Sequence, residues 1–344
     1  MAETQTIELE PVDAVEITTL VDNTVDHLLP DSGRARRASL GGVPGGPRVE
    51  TPLLAEPRIA DALVAEHGFS ALVQVSRGGR THRLLFDAGL STGGVAHNMD
   101  VLGARVADIE AIVMSHGHID HTGGLHGLVA RNGRRRLPML LHPDFWLERR
   151  IAPPEREPLE LPTVSRGALE GAGFEVIEGA RPSLLLDGSV LITGEVARST
   201  EFERGFPVHQ AKRGGAWTPD PLILDDQALV VSVRGRGLVV LTGCGHAGIV
   251  NIVRHARALT GEPRVAAIVG GLHLSGPLFD PIIPATVEAL AGFAPGMIVP
   301  AHCSGFAATR AISLALPDAF VQSSAGTRYI IGAQTGARPG AGGE

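Results

Sequence analysis

The sequence has little lysine, little cysteine and few aromatic residues. Of its 30 basic residues only Lys212 is a lysine, so a mechanism that needs a Schiff-base or general-base lysine would depend on that one residue. Two cysteines, Cys244 and Cys303, are too few for a disulfide framework. Aromatic residues make up 4% of the chain, with a single tyrosine, Tyr329. A small disulfide-stabilised domain is therefore excluded.

The chain also lacks an excess of positive charge and a long apolar run. Its formal net charge is -7, which gives no electrostatic footprint for nucleic acid. The most apolar stretch, residues 265–279, contains His273 and several glycines and falls short of the roughly 18 apolar residues of a membrane span. The N-terminal residues are acidic, whereas a secretory signal is basic and then apolar. We therefore expect a cytoplasmic protein that binds a small molecule, and neither nucleic acid nor a membrane. Nothing in the sequence indicates an oligomeric state.

The 344 residues contain 44 glycines and 24 prolines, which predicts many tight turns and irregular loops. Strand patterns give way to alternating strands and helices in both halves of the chain, with helices predicted at about residues 58–67, 94–102, 247–259 and 282–291. This predicts an α/β fold with two sheets packed face to face and helices outside, a four-layer αββα sandwich. We predict one domain over residues 1–332, with loop insertions at about 24–57 and 201–226, and a disordered tail at 333–344.

The strongest signal is the segment SHGHIDH at residues 115–121, which follows an apolar strand. His116 and His118 alternate, so one loop can direct both at a single metal ion. Asp120 and His121 are adjacent at the start of a helix predicted from about Ile119 to Ala130, and they diverge, so they can serve a second ion. A lone histidine is more often a satisfied polar residue, but this density of ligand types favours a metal site.

Three more histidines follow apolar strands: His246, His273 and His302. Each has small neighbours that allow a close approach of the backbone. Taken singly, each is as readily a packing residue as a ligand. As a set beside residues 116–121, they favour ligands gathered from separate strand ends.

With these motifs the chain resembles the metallo-β-lactamase superfamily. The segments SHGHIDHTGGL, ITGEV, DDQAL, TGCGHAGIVN, GGLHL and AHCSG resemble its branch of 7,8-dihydropterin-6-methyl-4-(β-D-ribofuranosyl)aminobenzene 5'-phosphate synthases. The resemblance runs from about Val15 to Ile331 and implies the metallo-β-lactamase fold with two metals at one edge. It implies that the first metal is held by His116, His118 and His246, and the second by Asp120, His121 and His302.

The chain also departs from that pattern. Many dinuclear members bridge their metals with an aspartate between the positions matched by His246 and His302, and here His273 is the residue at a strand end in that interval. A neutral imidazole does not bridge two ions as a carboxylate does. We therefore expect His273 to be either a ligand of the second metal, which we favour, or an acid beside the site. Asp120 and His273 are the catalytic candidates.

The charge of such a centre predicts the substrate. Two divalent ions, with zinc expected and manganese or iron as alternatives, keep a residual charge of about +2 after Asp120 and one hydroxide are counted. This charge favours an anionic substrate. A metal lowers the pKa of its bound water toward roughly 7. We predict a hydrolase that uses a metal-bound hydroxide on an ester, lactone or phosphoester.

Three alternatives stay open. One is a pterin-related synthase, as in the branch that the chain resembles. Another is a di-metal oxidoreductase on the same fold, although such enzymes typically have a glutamate where this chain has His118. The third is a sensor that keeps its metals without turnover.

Other candidates lie near these motifs. Arg204, Lys212 and Arg213 fall in the second insertion and are candidates for binding an anion, although a solvated loop face is the commoner explanation. Cys244 and Cys303 adjoin proposed ligands, and buried packing is favoured over a thiolate ligand. We expect Asp225 or Asp226 to support a ligand from behind, the alternative being a loop cap.

Overall fold

The structure is a computed structural model that describes residues 6–133 and 135–332, so the tail predicted at 333–344 lies outside the described residues. Its strands are β1 (Ala14–Val21), β2 (Ala35–Arg36), β3 (Arg48–Glu50), β4 (Arg58–Ala60), β5 (Ser70–Arg77), β6 (Arg80–Phe86), β7 (Ala111–Val113), β8 (Leu137–Leu141), β9 (Arg149–Ile151), β10 (Leu159–Leu161), β11 (Phe174–Glu178), β12 (Ser183–Leu185), β13 (Val190–Ile192), β14 (His209–Arg213), β15 (Ala216–Pro219), β16 (Leu229–Val233), β17 (Gly237–Thr242), β18 (Val265–Gly271), β19 (Ile298–Ala301) and β20 (Arg328–Gly332). Its α-helices are α1 (Gly94–Val101), α2 (Ile119–Thr122), α3 (Leu125–Asn132), α4 (Arg166–Gly171), α5 (Ile249–Thr260), α6 (Ile283–Phe293) and α7 (Phe306–Ala315).

Two large sheets carry the fold. Eight strands form one sheet in the order β11-β8-β7-β6-β5-β1-β20-β2, and six form the other in the order β12-β13-β16-β17-β18-β19. Strands β6, β7, β8 and β11 run parallel to one another, and so do β17, β18 and β19. Since parallel strands end at the same edge of a sheet, the residues that follow them are brought together.

Apolar side chains separate the layers of the sandwich. The core between the two sheets contains residues such as Val73 on β5 and Val239 on β17. Helices α1, α3 and α4 cover the outer face of the eight-stranded sheet through residues such as Met99 and Leu128. Helices α5, α6 and α7 cover the outer face of the six-stranded sheet, with Val253 of α5 in that core. The predicted αββα arrangement is therefore confirmed.

The structure corrects two helix predictions. The continuous helix predicted from about Ile119 to Ala130 is interrupted, because α2 ends at Thr122 and α3 begins at Leu125. Gly123 and Gly124 lie against the backbone carbonyl oxygens of Leu90 and Ala88, and a Cβ at either position would collide with them. The interruption leaves α2 as one short turn.

The second correction concerns residues 58–67, where we expected a helix from the apolar spacing. The structure has β4 there, paired with β3 in a two-stranded ribbon. Ile59 and Val64 remain 37% and 41% exposed. Leu63 is buried, but the other apolar side chains offer no continuous face to a core, which removes the main stabilisation of a helix.

The insertion at 201–226 is also more regular than expected. Strands β14 and β15 lie within it and join β9 and β10 in a four-stranded sheet. The register of the pairing between β14 and β9 places His209 opposite Ile151.

The first insertion, 24–57, contains the short strands β2 and β3. Its Arg34 and Arg37 donate to backbone carbonyl oxygens of residues 296, 318 and 322. Among residues 6–133 and 135–332, no helix is long and apolar enough to cross a membrane.

Candidate metal centre

The ends of parallel strands bring the predicted ligands to one edge of the sandwich. The SHGHIDH segment follows β7, and the loops after β17, β18 and β19 carry His246, His273 and His302. Ring centroids of His116 and His246 lie 4.8 Å apart, and those of His121 and His302 lie 5.0 Å apart. The two sheets thus contribute ligand-type side chains to a single cluster.

His116, His118 and His246 form the first group of this cluster. Nε2 of His116 lies 3.0 Å from Nδ1 of His118, and Nε2 of His246 lies 3.2 Å from each of these atoms. Burial is the main cause that lowers the pKa of all three rings well below the usual value, and the neighbouring histidines lower it further. Three buried neutral imidazoles that converge on one point are the donor set that a zinc-like ion prefers.

Asp120, His121, His302 and Cys244 form the second group. Oδ2 of Asp120 lies 3.2 Å from Nε2 of His302 and 3.7 Å from Nε2 of His121. Sγ of Cys244 lies 3.2 Å from Nε2 of His121 and 3.4 Å from Nε2 of His302. The structure therefore brings together the three residues that the resemblance assigns to a second metal, and adds a thiol to them.

Electrostatics differ between the two groups. Burial opposes a charge on His121, but the carboxylates of Asp120 and Asp87 outweigh it and raise the pKa of His121 to about 9. Burial likewise opposes a charge on Asp120, but His121 and His302 outweigh it and hold the pKa of Asp120 below its usual value. Burial raises the pKa of the Cys244 thiol. The second group thus contains ionised side chains, next to a neutral triad.

Asp87 supports both groups, and the sequence analysis missed it. It follows β6 and is fully buried. His121 donates from Nδ1 to Oδ2 of Asp87 at 2.7 Å, and Ser115 donates from N to Oδ1 and from Oγ to Oδ2, both at 2.7 Å. Oγ of Ser115 in turn lies 2.9 Å from Nδ1 of His116. A polar residue at the end of an apolar strand, in the segment LLFDAG, was the available signal.

Two residues that follow β1, the buried Asp22 and the exposed Asn23, hold His302. Asp22 accepts from the backbone N–H of His302 at 2.8 Å, and Nδ2 of Asn23 donates to the His302 carbonyl oxygen at 3.0 Å. Burial raises the pKa of Asp22. Both residues follow β1 in the segment LVDN, and the sequence analysis did not consider them.

Asp225 and Asp226 contact the loops of the first group from behind. Asp225 accepts from the Gly117 N–H at 2.9 Å and pairs with buried Arg149 at 2.7 Å. Asp226 accepts from the Ala247 N–H at 2.9 Å, and burial raises its pKa to about 6. These contacts place one carboxylate behind each of the two loops that carry the triad.

His209 is a second residue that the sequence analysis missed. It lies in β14, within the segment expected to be a loop, and its Nε2 is 3.0 Å from Nε2 of His118. No motif surrounds it in the sequence. Only the pairing of β14 with β9 brings it to the centre.

His273 lies beside the first group, on the wall of a cavity of about 270 Å³ that is also lined by His246, Arg204, Leu278 and Phe279. Its ring centroid is 4.1 Å from that of His246. It shares a possible ligand group with Cys244 and His246, and not with Asp120, His121 and His302. Among the described residues, neither ring nitrogen of His273 has a hydrogen-bond partner. This placement differs from the expected ligation of the second metal.

The three basic candidates are separated. Arg204 is exposed at the cavity, where its Nε donates to the Glu201 carbonyl oxygen at 2.6 Å. Lys212 instead pairs with Glu148 at 2.9 Å, and Arg213 pairs with Asp144 at 2.8 Å. Both lie on β14 outside the lining of this cavity, so their cationic groups already have carboxylate partners elsewhere.

Cys303 is placed as a packing residue rather than with either ligand group. It is 8% exposed, and its Sγ donates to the carbonyl oxygen of Cys244 at 3.4 Å. The two cysteines therefore differ in their surroundings. The Cys244 sulfur faces two ring nitrogens, whereas the Cys303 sulfur donates to a backbone carbonyl oxygen and adjoins the side chains of Cys244 and His273.

Comparisons with known proteins agree with this architecture. A family model described as a beta-lactamase superfamily domain matches residues 82–176, which include the SHGHIDH segment. A solved protein described as Tm1679, a metal-dependent hydrolase of the beta-lactamase superfamily, superposes with a TM-score of 0.68 at 22% identity over 92% of this chain and 99% of its own. That likeness supports the fold alone.

Two curated relatives come from Methanocaldococcus jannaschii. One is named 7,8-dihydropterin-6-methyl-4-(beta-D-ribofuranosyl)-aminobenzene-5'-phosphate synthase and is 28% identical over 247 residues, which cover 71% of this chain and 83% of the relative. The other is named as an uncharacterized protein and is 28% identical over 256 residues, 72% of this chain and 88% of the relative. With the fold, the ligand geometry and these matches together, the chain is similar to the metallo-β-lactamase superfamily, whose domain model matches residues 82–176.

Proposed function

We propose that this protein is a metal-dependent hydrolase that cleaves an ester, lactone or phosphoester of a small anionic substrate. The observation that carries the proposal is the meeting of two ligand groups at one edge, beside a cavity that His246 and His273 line. We propose His116, His118 and His246 as ligands of one metal and Asp120, His121 and His302 as ligands of a second. Zinc suits the nitrogen-rich first group.

The donor set itself supports the metals. Nδ1 of His121 donates to Asp87 and Nδ1 of His116 faces Ser115, so Nε2 of each ring points into the cluster and is the atom that a metal would bind. Bound metals would supply an activated water and polarise the bond under attack. The proposed reaction therefore needs no lysine or serine nucleophile.

The chain's own residues would bind and orient the substrate. Arg204 at the cavity offers a guanidinium for an anionic group, and Leu278 and Phe279 add apolar side chains to the lining of the same cavity. His273 reaches the same cavity, with Phe206 and Phe279 against its ring at centroid distances of 5.4 and 4.6 Å. We propose that a ring nitrogen of His273 donates a proton to the leaving oxygen.

A synthase is the second candidate, because a relative of comparable length bears that name. The two candidates differ in the bond formed. A hydrolase adds water to an electrophile, whereas a synthase joins two substrates. The pterin-related reaction belongs to the relative, and for this chain it is a candidate to be assayed.

The test is a panel of lactone, thioester and phosphodiester substrates with the protein loaded with zinc, manganese or iron. Arg204→Gln should raise KM for anionic substrates by about tenfold, the worth of one charge-assisted hydrogen bond, and leave neutral analogues unaffected. Lys212→Gln is the matched control, because its ammonium pairs with Glu148 outside the cavity. Full metal content without turnover of any member of the panel would contradict the proposal.

A further inference from the structure

The sulfur of Cys244 occupies a position shared by two ligand groups. It belongs to the group with Asp120, His121 and His302, in which all donor atoms lie within 4.8 Å of one another. It also belongs to a group with His246 and His273 that meets the same limit. Cys244 is 3% exposed, so its thiol is removed from bulk water.

The backbone is built to bring this residue into the cluster. Cys244 follows β17, and a Cβ on the preceding Gly243 would collide with the side chains of Ser115 and Asp87. A Cβ on Gly271 would lie 3.1 Å from the Cα of Cys244 and 2.9 Å from the sulfur of Cys303. Glycines at these two positions let the loop after β17 approach both sheets closely.

The surrounding nitrogens distinguish a ligand from a packing residue. Nδ1 of His121 is engaged by Asp87 and Nδ1 of His302 lies 3.4 Å from Oδ1 of Asn23, so the Nε2 atoms of both rings face Cys244. A thiol is a weak hydrogen-bond partner and its one proton serves at most one ring nitrogen. A cation would satisfy both nitrogens, the sulfur and Oδ2 of Asp120 together.

We propose that Cys244 binds the second metal as a thiolate, beside Asp120, His121 and His302. Its proton passes to solvent when the metal binds, since a coordinating thiol is deprotonated. The thiolate adds a second negative charge to a group whose one carboxylate is Asp120, and it makes this position softer than the all-histidine position. The inference rests on the proposed metal centre.

The test uses the protein loaded with Co²⁺, because a thiolate ligand gives cobalt an intense near-ultraviolet charge-transfer band that imidazole and carboxylate do not give. The chain has two cysteines, so a band that persists in Cys303→Ser protein can come only from Cys244. We expect full band intensity in Cys303→Ser and complete loss in Cys244→Ser, with bound cobalt counted by elemental analysis. The Cys303→Ser arm decides the assignment even when Cys244→Ser fails to fold.

The outcomes separate this inference from the proposed function. Bound cobalt with visible ligand-field bands and no thiolate band, in the natural protein or in Cys303→Ser, would overturn the role of Cys244 and leave the metal centre standing. A band that survives in Cys244→Ser would overturn it as well. A natural protein that binds no cobalt, zinc or manganese would remove the metal centre, and this inference with it.

Discussion

Nε2 of His209 lies 3.0 Å from Nε2 of His118, and Nδ1 of His209 lies 2.9 Å from the backbone carbonyl oxygen of Asp220. Only an N–H group can face a carbonyl oxygen in a hydrogen bond, so His209 carries its proton on Nδ1 and accepts through Nε2. His118 then carries its proton on Nε2, and the lone pair of its Nδ1 faces His116 and His246. The pair fixes the tautomer of a proposed metal ligand.

His209→Leu should weaken metal binding at the first group by about 10–100-fold, because it removes the acceptor that orients His118. His209→Gln should bind metal within a few-fold of the natural protein, since an amide oxygen can accept from His118. Competition with a chromophoric zinc chelator measures both affinities. Equal affinity of the Leu and Gln variants would show that His209 fills space and does not orient its neighbour.

The sequence predicts site residues that are close together along the chain and misses those that only a long-range strand pairing brings to the centre. His116, His118, Asp120 and His121 are contiguous, and their spacing alone indicates a metal site. The helices α1, α5 and α6 follow from apolar periodicity close to their observed bounds. His209 reaches the centre only because β14 pairs with β9, a long-range pairing without a local signal.

Glycines show the same limit at the motif itself. The apolar spacing after residue 118 favours one continuous helix, yet Gly123 and Gly124 end it, since their neighbours are backbone carbonyls from a distant loop. The sequence shows that glycines are present. Which glycine is required by a close approach becomes clear only when the opposing chain segment is placed.

Asp87→Asn should weaken binding at both groups, because Asp87 accepts three hydrogen bonds from Ser115 and His121. In the variant, the amide NH₂ group faces one of the donors of Ser115 or His121 in place of a carboxylate oxygen. A buried polar group is then left without a partner, which lowers the free energy of unfolding by about 1–3 kcal/mol. Chemical denaturation of the metal-free protein measures the cost. Asp100→Asn, whose carboxylate is exposed and pairs with Arg131, is the control and should change stability by less than about 1 kcal/mol. Equal stability of the two variants would contradict the support proposed for Asp87.

Asp120→Ala should empty mainly the second position, because Asp120 is the carboxylate of that group and lies 3.2 Å from His302. Elemental analysis should then find about one metal per chain in place of two. His116→Ala or His118→Ala should cost metal at the first position and activity together. A full complement of two metals in Asp120→Ala would refute the assignment of Asp120.

His273 offers the sharpest choice between two roles. It adopts a positive φ of 47°, a strained conformation for a residue with a side chain, and it reaches the cavity wall next to His246 with both ring nitrogens free of partners among the described residues. Because its possible ligand group excludes Asp120, His121 and His302, we expect His273→Ala to retain its metal while turnover falls by roughly 10²–10⁴, the range of general acid–base catalysis. Metal content and rate are measured on the same preparation, with Lys212→Gln as a reference for an unrelated substitution. A parallel fall in metal content and rate would instead make His273 a ligand, as its place at a strand end after β18 first indicated. Retention of both would remove His273 from the site, and the proton for the leaving group would then have to come from another residue at the cavity.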